Sequence, residues 1–178
     1  MAKNSPSPIV KVAGKYGFIG GLALTATLII LFYLGKHPLF LIPLVFDLRI
    51  LLFALFIALA IREFKEANDS VLHFWQGLTI GLICYILISF LTAIFLLIFG
   101  GLIDPSFVSE YIQLSIDNLN ANRDVFEETI GSEVLDNAIE NLPSTTANDL
   151  AFDYFLKSTP IGFILTLGIS LMLRKQPK

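Results

Sequence analysis

Two charges interrupt an otherwise apolar stretch, IPLVFDLRILLF at positions 42–53: Asp47 and Arg49. A carboxylate or a guanidinium inside a bilayer is a functional site by default, because neither is tolerated there without partners. Residues two apart lie about 200° apart around a helix, so Asp47 and Arg49 cannot pair with each other there. Each needs a partner from another helix or from the headgroups. Depth decides between two placements. A helix beginning at Leu39 would carry Asp47 about 12 Å inward, at a cost of roughly 2.5–3.5 kcal/mol. A helix beginning after Pro43 puts Asp47 in its first turn, beside the positive helix end, and lets Arg49 snorkel to the interface. The second placement satisfies both charges and is the one expected. Asp47 and Arg49 are then anchoring charges, and an ion or proton site is the alternative.

The remaining chemistry is sparse. Cys84 is the one cysteine, which excludes a disulfide framework and a multi-thiolate metal site. It sits in an apolar run and reads as a buried structural thiol. No HExxH, phosphate-binding glycine loop, nucleophile motif or basic nucleic-acid patch occurs. No cofactor, metal or nucleic-acid partner is therefore expected, and no enzymatic activity.

The elements that position these residues are set by hydrophobicity. The chain has 178 residues, 55% hydrophobic and 15% charged, with a mean hydropathy of +0.75. A soluble domain this small could not hide so much apolar surface, so the composition indicates a membrane protein. Four apolar runs follow, at 16–35, 44–61, 77–103 and 155–173. About 20 helical residues span the hydrocarbon core. The first run lacks a small-residue cleavage site and reads as a retained anchor. The third exceeds that length and must tilt or protrude. In the fourth, Ser158 and Thr159 stand beside Pro160, where hydroxyls can serve the carbonyls a proline leaves unpaired.

With both termini in the cytoplasm, eight Lys and Arg lie inside and three outside, Arg49 set aside. That bias predicts N-in, C-in. His37 and His73 then fall on opposite sides of the membrane as interfacial polar residues, and Trp75 marks the cytoplasmic boundary. The segment 104–154 lies outside, with eleven acidic residues and one arginine. Its apolar residues are periodic: Val108, Ile112, Ile116 and Leu119 share one helical face. Pro105 starts a helix, Gly131 stops a second and Pro143 ends a third. Thr146 with Asp149 resembles a capping box leading into the last span. The expectation is an all-α integral membrane four-helix bundle with a small helical periplasmic cap between spans 3 and 4.

Small residues recur at four-residue spacing: Gly17 and Gly21 in the first span, Gly77 and Gly81 in the third, Gly162 with Thr166 and Ser170 in the fourth. Such faces let helices approach closely in lipid, here within one chain. In the cap, Phe107, Tyr111 and Phe126 offer aromatic surface. Partner contact and a resting place on the bundle rim or in the headgroup layer are both open for them.

The stretches REFKEANDSVLHFWQGLTIGL, GGLIDPSFVSEYIQ and STPIGFILTLGISLML, in that order, resemble the four-span membrane family of domain of unknown function forty-one ninety-nine, seen mostly in Bacteroidota. The resemblance extends over nearly the whole chain and implies the inner membrane of a Gram-negative bacterium. It implies no chemistry, since the family has no established activity. The expected function is that of an accessory or scaffolding protein that binds another envelope protein through the acidic cap or a bundle face. The alternative is a small transporter or channel, and the oligomeric state is left open.

Overall fold

The computed structural model describes residues 7–40 and 48–175, and within them every regular element is helical. Helix α1 (Pro8–Tyr33) begins two turns before the first apolar run. Its proline is preset for a first helical position, and the Ser7 hydroxyl accepts from the Val10 amide at 3.4 Å. Gly35, at φ +74°, turns the chain after it. Helix α2 is described from Leu48 to Ala67. Asp47 and the expected start after Pro43 lie outside the described residues.

Helix α3 (Phe74–Ile98) continues through a π-helical turn, Phe99–Ile103. The Asp104 amide closes that turn on the Phe99 carbonyl at 2.8 Å. Helices α4 (Ser106–Ala121), α5 (Arg123–Ile130) and α6 (Ser132–Asn141) follow, with Gly131 between the last two at φ +87°. Helix α7 (Ala147–Leu173) starts two turns before the fourth apolar run. The cause is the Thr146–Asp149 capping box: the Asp149 carboxylate accepts from the Thr146 amide at 2.8 Å, and the Thr146 hydroxyl accepts from the Asp149 amide at 3.4 Å. Pro160 is inside this helix. Both neighbouring hydroxyls, Ser158 and Thr159, donate to the Phe155 carbonyl at 3.0 Å. That differs from the expectation, because the carbonyl a proline at 160 leaves unserved is that of Leu156.

Helix α3 is central: it contacts α1, α2 and α7, and α2 also contacts α1 and α7. Glycines make the approach close. A Cβ at Gly17 would stand 2.8 Å from Leu87 Cβ, one at Gly21 2.9 Å from Leu91 Cδ1, and one at Gly81 2.5 Å from Thr166 Cγ2. Gly77 lies against Ser170, and Gly162 against the Tyr85 ring. These side chains belong to the same chain, so the small-residue faces join α1 and α7 to opposite parts of α3. Gly20, absent from the four-residue spacing, is as tightly placed, between Ile88 and Phe56.

The ends of the core are fastened differently. At one end Lys15 and Tyr16 of α1 bind the Glu63 carboxylate of α2, at 2.6 and 2.7 Å. There too Leu72 and Lys175 exchange backbone bonds at 2.8 and 2.9 Å, and Lys65 Nζ donates to the Leu173 carbonyl at the end of α7 at 2.9 Å. At the other end α4 folds back over α3 beside Gly100, where a Cβ would lie 3.1 Å from Val108.

Among the described residues, three helices are long and apolar enough to cross a membrane: α1, α3 with its π-helical turn, and α7. Helix α2 differs because Arg49 stands near its start and Arg62, Glu63 and Lys65 near its end. Only the 12 positions 50–61 between them are uncharged.

Candidate functional site

The end of the core near α4 holds the two features of interest. The first is an aromatic junction around His37, which is only 6% exposed. Its Nε2 lies 2.9 Å from the Phe107 carbonyl, which fixes Nε2–H as the donor, since a carbonyl can only accept. Nδ1 is buried with no partner, so the neutral ring is the form that fits. Burial accordingly holds the imidazole below its usual range, while the bond to the Phe107 carbonyl acts in the opposite sense. The rings of Phe107 and Tyr111 lie 4.5 and 5.7 Å from that of His37. Phe32 and Phe99 close on Phe107 at 5.2 and 5.6 Å.

His37, expected as an interfacial polar residue, is buried beneath α4. Of the two places left open for Phe107, against the bundle or at a partner, its 2% exposure fits the first, and its ring keys α4 to α1 and α3. Phe126 is half-buried on α5. The exposed apolar side chains of α5 and α6 are Val125, Ile130 and Val134.

The second feature is a cavity of about 350 Å³ bounded by α2, α4 and α7. Arg49, near the first described residue of α2, lines it together with Tyr111, Asp153 and Lys157. Asp153 and Lys157 face it as an ion pair at 2.6 Å, one helical turn apart. Below the charges the walls are apolar: Ile50, Phe53 and Ile161. The sequence singled out Arg49 and Tyr111 separately, and the fold brings them together. It missed Asp153 and Lys157; the available signal was their i, i+4 spacing at the polar start of an apolar helix.

The other candidates stay apart. His73 caps α3 at the far end of that helix, with Nδ1 3.3 Å from Oε1 of the Gln76 side chain. Cys84 is buried mid-helix, its thiol 3.8 Å from the Phe56 carbonyl. Tyr85 and Ser89 are buried in the α3 interface and do not reach the cavity. Among the described residues, no three His, Cys, Asp or Glu side chains converge.

The cavity thus offers charge of both signs over an apolar floor, a surface suited to holding a molecule. The model of the family described as "Protein of unknown function (DUF4199)" matches residues 15–175. Comparison with curated proteins and with solved structures gives no match. The matched segment runs from Lys15 of α1 to Lys175 after α7, nearly the whole chain, and the protein therefore belongs to the DUF4199 family of unknown function.

Proposed function

We propose that the protein is a non-enzymatic, four-span protein of the bacterial inner membrane, with both termini cytoplasmic, that binds another envelope protein through its periplasmic cap. The observation that carries this reading is the contrast within the cap. Helix α4 is locked to the core by Phe107 and His37. The α5–α6 pair is held by Arg123, which bonds Glu127 and Asp136, and by the buried Leu135, and it turns Val125, Ile130 and Val134 outward. Those apolar side chains stand in a segment with eleven acidic residues and one arginine. A basic protein surface with apolar centres complements them.

The fourth span is α2. Its uncharged positions 50–61 cover about 18 Å, and Arg49 and Arg62 at either end can reach the two interfaces. Its packing against three other helices supports that place. Eight inner against three outer basic residues support the orientation.

The test is in-cell photocross-linking from positions 125 and 134. A single stoichiometric adduct is expected, weakened by Glu133→Lys and Glu140→Lys. An adduct unaffected by those reversals, or none, overturns the reading. Impermeant maleimide should label Ser144→Cys but not Ala67→Cys in spheroplasts, both in a Cys84→Ser background. A second reading, a small transporter or channel, is favoured by the cavity. Against it, the buried Tyr85 and Thr166 fill the core beside Gly162 and Gly81. Flux into liposomes distinguishes the two.

A further inference from the structure

We infer that the cavity between α2 and α7 binds a membrane phospholipid, taking its anionic phosphate at Arg49 and Lys157 and one acyl chain along Ile50, Phe53 and Ile161. Three observations converge. The first is the distribution of basic residues. The cap segment is strongly acidic, and the basic side chains of the described chain at this end are Lys36, Arg49, Arg123 and Lys157. Two of these four, Arg49 and Lys157, line one cavity. Among its described lining residues they stand against a single carboxylate, Asp153, so the recess is a local exception on a surface that otherwise repels anions. Arg offers a fork that matches phosphate oxygens, and Lys a point charge on a flexible stem.

The second observation is the order of the walls. Going along α7 from its capped start, Leu150 is followed by the charged Asp153 and Lys157, and Ile161 comes one turn after Lys157. Going along α2, Arg49 is followed by Ile50 and Phe53. Both helices therefore change from charged to apolar in the same direction, as the headgroup layer gives way to acyl chains. A soluble anion would use only the upper half of such a site. The third is size: about 350 Å³ lies within the range of small-molecule pockets, too small for a whole diacyl lipid but adequate for a headgroup and part of one chain. Lys157 keeps 70% of its side chain exposed within its pair with Asp153, so it can turn from the carboxylate to a phosphate at little cost.

The experiment is native mass spectrometry of the full-length protein in detergent. Phosphatidylglycerol and phosphatidylcholine of equal chain length are added in turn, with inorganic phosphate as competitor. Phosphatidylglycerol should be retained at least about tenfold more strongly than phosphatidylcholine, and millimolar phosphate should not displace it. The double variant Arg49→Gln/Lys157→Gln should lose that preference. Ile161→Trp, which fills the apolar floor, should reduce retention of both lipids while thermal stability is kept. Equal retention of the two lipids by the wild-type protein overturns the inference without any variant. So does displacement by phosphate alone, which would mark a soluble anion site, and so does a preference that survives the double variant.

Discussion

Gly162 and Gly168 sit six residues apart in α7, and alanine should act on them with opposite signs. A Cβ at Gly162 would lie 2.6 Å from Cγ of the Tyr85 ring. Carbon atoms rest at about 3.5–4.0 Å, so roughly 1 Å of movement is needed. Cγ is the root of the ring, not the end of a flexible chain, and Tyr85 is 4% exposed. The strain of such overpacking is about 1–3 kcal/mol. Against it stands the helix gain of about 0.5–1 kcal/mol when alanine replaces glycine. A Cβ at Gly168 would have nothing within 4 Å, so the gain there is unopposed. Gly168→Ala is therefore expected to raise stability by about 0.5–1 kcal/mol, and Gly162→Ala to be neutral or to lower it by up to about 2 kcal/mol. The propensity gain is common to both, so their difference isolates the clash. Thermal unfolding in one detergent, at one protein concentration, reads it at roughly 2–4 °C per kcal/mol. Equal midpoints for the two variants would refute the claim that α7 meets α3 through Gly162.

Ser70, held at φ +60° in the α2–α3 loop, should be improved by Ser70→Gly, for a net gain of about 0.5–1 kcal/mol in the same assay. Phe107→Ala should cost about 3–5 kcal/mol and release α4–α6 to limited proteolysis while the fragments of α1–α3 persist. His37 is held below its usual range by burial, so the unfolded chain takes up a proton before the folded one as pH falls. Stability should be full above about 6.5, decline as the pH drops from there toward the folded value, and level off below it. His37→Gln should remove that part of the slope, and an unchanged slope would place the titration elsewhere.

The apolar runs made α1, α3 and α7 legible, because burial in lipid needs length and composition and both are local. They did not mark the helix ends. Lys11 and Lys15 extend α1 below its apolar stretch, and the capping box at Thr146 starts α7 well above its own. The box was readable, and it, not the apolar run, sets where α7 begins. The same criterion divides α2 from the others, since its flanking charges shorten the uncharged stretch. The site was less visible. Arg49 lines one cavity with Lys157 and Asp153, more than a hundred residues away, and no periodicity connects them. The buried state of His37 depends on α4 folding back over it. Gly20 escaped the four-residue rule because two neighbouring helices, not one, approach α1 on that side.

The central place of α3 fixes an order of events during synthesis. Its contacts with α1 through Gly17 and Gly21 can form as soon as α3 leaves the ribosome, since both partners already exist. Its contacts with α7 through Gly77, Gly81 and Tyr85 must wait until α4–α6 and then α7 have been made. Throughout that interval α3 presents a notched, half-finished face, either to lipid or to whatever factor attends the nascent chain. A chain halted before Thr146 would keep that face permanently, together with the unpaired Leu72 edge that Lys175 otherwise closes. Completion of α7 is thus the step that converts a set of separate helices into a closed structure.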